Sequence, residues 1–302
     1  MTDERLGDMG EVDVIQRLRG RIPGAATVKV GLGDDTAVVA WTDEMDLLLT
    51  SDATIHGVHV DHEAEPEAIG RKALARALSD IAAMGGKPLW AMVDLVAPAT
   101  ENWKVVEGIY RGLLTQAKEH GVALVGGDTS CSEPLALHIF VAGQVPRDQA
   151  LLRSGALPGQ AIYVTGRLGN SLAGRHLAFD PRLAEGQWLC ESGYVSAMMD
   201  LSDGLATDLG HLARESGLTA QIREAALPLV SDAHAALHDG EDYELLFTVA
   251  PENVAEFEPA WSKSFTLECT RIGTMVSGGG GVMLEDLNGE IRELPPRGYE
   301  HF

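Results

Sequence analysis

The chain has 302 residues, 45% of them hydrophobic, with 45 acidic against 23 basic side chains and a formal net charge of −22. This length suits one large domain or two ordinary ones. So acidic a chain argues against nucleic acid and anionic membrane as partners, because binding either takes Lys and Arg to displace counterions; it favours metal cations instead. Aromatic residues make up only 5%, which points to small-residue α/β packing. Cys131, Cys190 and Cys269 lie far apart without CxxC spacing, against a zinc site or disulfide framework. The opening MTDERLGDMGEVDVIQ is charged and lacks the apolar core of a signal peptide. No stretch approaches the roughly 20 apolar residues of a membrane span, so a soluble, cytoplasmic protein is expected.

In chain order, residues 10–20 read as a helix with Val12, Ile15 and Leu18 on one face. Strands are expected at 36–41 and 47–51 around a polar turn. Residues 66–84 form a helix: Pro66 suits its first turn, Ile69, Ala73, Ala77, Asp80 and Met84 share one side, and Gly85-Gly86-Lys87-Pro88 stops it. A strand at 89–95, a helix at 103–120 closed by Gly121, and strands at 122–125 and 135–145 follow. The polar connector near 146–152 divides the chain into domains 1–147 and 148–302. The second half restarts with a strand at 161–165, a Gly-rich turn at 166–170 and a short helix at 171–177. It continues with a strand end at 197–201, a helix at 205–216 capped by Gly217, a strand at 244–249 and a flexible turn at 278–281. This is a two-domain α/β (α+β) pattern without internal repeats.

The chemistry lies in where aspartates fall. Strand-like runs end in Asp beside Gly, Ser or Thr: GDDT at Asp34 and Asp35, TSD at Thr50, Ser51 and Asp52, GGDT at Asp128, and DLSDG at Asp200 and Asp203. Asp at a strand end next to Gly can face a cleft where ligand approaches backbone, although each case alone is also an ordinary turn. Asp80 adds a carboxylate on an apolar helix face, which is costly unless paired; Arg76 and Lys87 are the candidate partners. Carboxylates converging on one cleft repel by about 4 kcal/mol per close pair at an effective dielectric near 20. Such a cluster calls for cations, and hard oxygen ligands with Thr and Ser hydroxyls select Mg²⁺ bridging to phosphates. That is the apparatus of phosphoryl transfer. No P-loop, no GxGxxG after a strand, no GxSxG elbow and no HExxH is present.

The ordered motifs GLGDDTAVV, LLTSDATIHGVHV, KALARALSDIAAMGGKPLW, LVGGDTS, LLRSGALPGQAIYVTGRLGNS, MMDLSDGLATDLGHLARESG, GEDYELLFTV and GYEHF resemble those of thiamine-monophosphate kinases. That family belongs with aminoimidazole-ribonucleotide synthetase, selenophosphate synthetase and the hydrogenase maturation dehydratase subunit. The resemblance implies two α/β domains, the first forming a homodimer sheet, and Mg²⁺-dependent in-line transfer of the ATP γ-phosphoryl group to thiamine monophosphate. Carried over by position, Asp35, Thr50, Ser51, Asp52, Asp80, Asp128, Asp200 and Asp203 would be ligands for several Mg²⁺. Tyr110, Gly127, Asp128, Arg153 and Ser202 would contact ATP, and His59, Glu241 and Tyr299 the substrate, Glu241 and Tyr299 facing its cationic thiazolium ring. Alternation along the strand sets Asp34 apart from Asp35, and Asp208 sits where an acid also favours the helix dipole; the roles of both stay open. Two departures from the family pattern stand out: residues 178–190 are short and irregular where a Pro-rich loop is expected, and His238-Asp239 precedes Gly240. An ATP-dependent synthetase of the same superfamily and a non-catalytic acidic nucleotide- or metal-binding module are the alternative readings.

Overall fold

A computed structural model describes residues 6 and 10–296. The first half runs α1 (Glu11–Arg19), β1 (Val28–Val30), β2 (Ala37–Ala40), β3 (Met45–Ile55), α2 (Pro66–Ala83), β4 (Lys87–Ala97), α3 (Trp103–Glu119), β5 (Ala123–Cys131) and β6 (Ala136–Pro146). Its six strands pair in the order β1-β2-β3-β6-β4-β5, with only β4 and β5 parallel. The second half runs β7 (Ala161–Thr165), α4 (Leu183–Ser192), β8 (Val195–Asp200), α5 (Leu205–Glu215), β9 (Leu218–Arg223), α6 (Ala233–His238), β10 (Leu245–Val249), α7 (Val254–Ser264), β11 (Cys269–Ser277), β12 (Val282–Glu285) and β13 (Ile291–Leu294). These seven strands pair as β13-β12-β9-β11-β7-β10-β8.

Helix α2 lies at the centre. Its apolar residues, among them Ala73, Leu74, Ala77, Leu78 and Ile81, are fully buried in a core that runs from β3, β4 and β6 through α2 to Met198, Tyr163 and Phe247 of the second sheet. The other face of that second sheet carries its own core, Ile162, Val164, Met199 and Leu246 against Leu205, Leu209 and Leu212 of α5. Covered on both faces, β7 and β10 are buried at every residue, which is why they read as continuous apolar runs. The close approach of α2 and α3 depends on glycine: a Cβ at Gly70 would lie 1.9 Å from the Ile109 carbonyl oxygen, and one at Gly112 would lie 2.0 Å from that of Glu67. The small-residue composition thus sets how tightly the layers stack.

Several expectations need adjustment. Helix α1 forms, but none of its residues is buried. Strand β5 continues through the Gly-Gly-Asp-Thr run that the sequence placed after a strand, and Asp52 lies inside β3 rather than at its end. Residues 183–192, read as part of an irregular loop, form α4; Gly186 conceals the helix in sequence but lets it pack on α2, where a Cβ would lie 2.2 Å from the Ala82 carbonyl oxygen. Among the described residues no helix is long and apolar enough to cross a membrane.

Candidate active site

The two halves meet around a group of aspartates drawn from separate segments. Pleat alternation sends Thr50 and Asp52 of β3 to the face that packs on α2, with the buried Leu48 and Thr54. The same alternation places Ser51 with the exposed Leu49 on the opposite face. The Ser51 hydroxyl is thereby set on the other face from the Thr50 and Asp52 side chains. Thr50 Oγ1 donates to Asp80, and Ser79, the residue before it, donates to Asp200 of β8 at 2.6 Å. Neither Arg76 nor Lys87 is the nearest partner of Asp80. Arg76 crosses instead to β3, pairing with Asp52 at 3.0 Å and donating to the Ala53 carbonyl, while Lys87 is exposed.

The segment joining the sheets supplies Arg153. Its guanidinium pairs with Asp35, Nε donating at 3.1 Å, and its backbone N–H donates to Asp34 at 3.2 Å. Asp34 and Asp35 precede β2 instead of lying in a strand, and they meet different parts of one residue: Asp34 holds the chain of Arg153 and Asp35 its charge. Asp35 Oδ2 is buried and has no hydrogen-bond partner. Below the end of β8, Asp208 accepts from the N–H groups of Asp203 and Gly204, both at 3.1 Å. It braces the Asp203 turn at the start of α5.

These carboxyls impede one another's ionisation. Burial, and then the charges of Asp200, Asp52 and Asp35, push Asp80 well above the usual carboxylate range. Burial followed by Asp35 raises Asp200 to about 7. Asp34 rises to about 7 through burial and Asp35, and Asp208 rises well above its usual value through burial, Asp203 and Asp200. Such mutual repulsion is characteristic of acids held together for a cation. Among the described residues no three acidic, His or Cys side chains already close on a single point; the acids are neighbours, with Arg76 and Arg153 between them.

Other candidates lie to either side. Tyr110, Gly127 and Asp128 line a separate hollow of about 420 Å³ with Val93 and Leu124. Gly127 has φ +149 and a Cβ there would lie 1.9 Å from the Val93 carbonyl oxygen, so only glycine lets β5 pair there. Because β6 and β4 stand between β3 and β5, Asp128 is roughly 14 Å from Asp52 at about 4.8 Å per strand. Asp128 is therefore not part of the central group within one chain. On the opposite side, Ile55 N–H donates to His59 Nδ1 at 3.0 Å. Glu241 N–H donates to the Ser202 carbonyl at 2.7 Å. The Glu241 carboxylate, expected to meet a substrate cation, is already engaged by Lys72 and His176, each at 2.6 Å. Burial opposes its ionisation, yet the His176 and Lys72 contacts hold its pKa down at about 2. Tyr299 lies outside the described residues. Sequence reasoning missed Lys72, Ser79 and His176. Lys72 and Ser79 lie inside the motif it quoted, Lys72 about two turns before Asp80 on the same helix face and Ser79 immediately before it.

Comparison with known proteins shows the family. Residues 33–145 match the family described as AIR synthase related protein, N-terminal domain, and residues 162–285 match its C-terminal domain. The thiamine-monophosphate kinase of Rhodopirellula baltica is 36% identical over 96% of this chain and 97% of its own. That of Escherichia coli (strain K12) is 35% identical over 97% and 98%. A solved structure of AaThiL complexed with AMPPCP and TMP superposes with a TM-score of 0.87 at 31% identity, covering 100% of both chains. On the matching domains, the full-length identity and the shared fold, the chain belongs to the thiamine-monophosphate kinase family of AIR synthase related proteins.

Proposed function

We propose that the chain transfers the γ-phosphoryl group of ATP to thiamine monophosphate, giving thiamine diphosphate and ADP, with Mg²⁺ held by Asp35, Thr50, Asp52, Asp80, Asp200 and Asp203. Family membership makes it an ATP-dependent phosphotransferase with a phosphate acceptor. The metal reading rests on one observation: buried carboxyls from both halves are held beside one another against their repulsion, with Asp35 Oδ2 buried and unpartnered. This all-oxygen donor set fits a hard cation. When bound, Mg²⁺ would neutralise charge on the two phosphates.

The residues have separate tasks in this reading. The Arg153 fork pairs with Asp35 and is suited to transfer to a nucleotide phosphate when a cation takes that carboxylate. Ser202, in the turn after β8, is assigned to the same nucleotide. Tyr110, Gly127 and Asp128, apart from the central acids, are assigned to the nucleotide rather than to the metals. His59 and Glu241 are assigned to the acceptor side, and Tyr299 to contact with the same acceptor. The attacking oxygen belongs to a phosphate monoester that is largely ionised near pH 7; direct in-line transfer then needs alignment and no side-chain base. The same reading divides the chain into domains 1–147 and 148–302, with Arg153 on the connector, and places it in the cytoplasm with the ATP it consumes.

A homodimer is part of the proposal. The outer face of the first sheet exposes Leu49, Trp90, Met92, Val125 and Phe140 around a hollow of about 480 Å³. A contiguous apolar patch on a sheet face is costly to leave in water. Light scattering should show a dimer that Met92→Glu converts to monomer; a monomeric parent would remove this element.

Two results test the chemistry. ADP release should follow addition of thiamine monophosphate but not thiamine or aminoimidazole substrates, and Asp52→Asn should lower turnover at least ~100-fold while leaving the circular dichroism unchanged. A near-normal rate for Asp52→Asn at saturating Mg²⁺ contradicts the role given to Asp52. The second result concerns pH. The Asp200 pKa is raised to about 7 in the folded protein, above its unfolded value, so its protonated form stabilises the fold at low pH. That contribution is lost as pH rises through about 7. Metal-free protein should therefore lose melting temperature between about pH 5 and 8, and Mg²⁺ should restore several degrees at pH 8 but little at pH 5. Equal Mg²⁺ effects at both pH values would count against ion binding at these acids.

A further inference from the structure

Lys72 has no task in the reading above, yet it is fully buried on the same face of α2 as Arg76 and Asp80. A buried ammonium is retained only when its protons are matched. Lys72 Nζ donates to the His59 carbonyl, donates to Glu241 Oε2 at 2.6 Å and lies 2.6 Å from His176 Nδ1. One of these groups belongs to the first half and two to the second.

The segment it reaches in the second half is strained. Glu241 and Tyr243 have φ of 66 and 51, a backbone region that side chains other than glycine seldom occupy without outside support. That support is visible. Glu241 N–H and Tyr243 N–H donate to the Ser202 and Leu201 carbonyls, both at 2.7 Å, Ser171 Oγ donates to the Glu241 carbonyl at 2.6 Å, and Tyr243 stacks on Phe179 at 4.0 Å. One buried cation therefore joins the His59 segment to a strained loop that is itself tied to the 201–202 backbone.

We propose that Lys72 is a positioning residue that clamps the His59 segment to the Glu241 loop, fixing the acceptor side of the cleft without touching either reactant. This rests on the assignment of His59 and Glu241 to the acceptor side. Steady-state kinetics with each substrate varied in turn test it. Lys72→Met should raise KM for thiamine monophosphate about 10-fold or more and KM for ATP less than about 3-fold, with Lys72→Arg recovering part of the loss. Equal changes in both KM values, or a change in kcat alone, overturn the clamp. If Lys72→Met does not fold, Glu241→Gln should show the same split, and its absence is equally fatal. Hydrogen–deuterium exchange gives a readout independent of turnover: in Lys72→Met, or in Glu241→Gln if the former is insoluble, amides at 57–59 and 241–243 should exchange faster together, and unchanged protection in both segments overturns the proposal. A parent enzyme that releases no ADP with thiamine monophosphate would sink the assigned reaction, while the exchange result would still decide the clamp.

Discussion

Like charges held together in a protein interior are the constraint on which this structure turns. Asp35, Asp52, Asp80, Asp200 and Asp203 come from four separate segments, and Asp80 and Asp200 rise in pKa through burial first and their neighbours' charges second. Unrelieved, a close pair costs about 4 kcal/mol at an effective dielectric near 20, a large fraction of a domain's net stability. The fold relieves part of this with Arg76 on Asp52 and Arg153 on Asp35. It also supplies hydroxyls, from Thr50 to Asp80 and from Ser79 to Asp200. What it leaves uncompensated, such as Asp35 Oδ2, is where the proposed function places a cation.

Helix α2 makes this possible by carrying two patterns at once. One stripe of Ala, Leu and Ile fills the core shared by both halves. The other runs Lys72, Arg76, Ser79, Asp80, and each of these meets a partner on another segment: Glu241, Asp52, Asp200 and Thr50. A helix with a polar stripe is usually oriented with that stripe toward water. Here the stripe forms the seam between the sheets, and buried polar groups are tolerated because their partners are in place. The glycines at which α3 and α4 cross α2 or lie against it bring the backbones close, and the low aromatic content reflects that tight stacking.

Much of this was legible in the sequence because the physics is local. Residues 66–84 gave α2 almost to the residue through Pro66, the apolar periodicity and the Gly85-Gly86 stop. The apolar run at 161–165 gave β7. Strand alternation, applied to Asp34 and Asp35, met a bend before β2 where both acids contact Arg153; inside β3 it holds, setting Ser51 on the other face from Thr50 and Asp52. The tertiary partners were not legible. Arg76 lies one turn from Asp80, yet its guanidinium pairs with Asp52 of β3 at 3.0 Å, a contact between segments distant in sequence. The strand order β3-β6-β4-β5, which separates Asp128 from the other acids, is set by pairing between distant segments. Gly186 concealed α4, since its close contact with α2 has no counterpart in local propensity.

Everything proposed for the chemistry requires the acids at the seam to hold divalent ions between two anionic reactants. The most direct measurement is a crystal structure with Mn²⁺ in place of Mg²⁺ and a non-hydrolysable ATP analogue, with the metals located by anomalous scattering. The account predicts anomalous peaks within about 2.3 Å of carboxylate oxygens of Asp35, Asp52, Asp80, Asp200 or Asp203, with Arg153 moved from Asp35 to phosphate. Metal peaks bound only elsewhere, with the Arg153–Asp35 and Arg76–Asp52 pairs intact and the nucleotide in place, would contradict it.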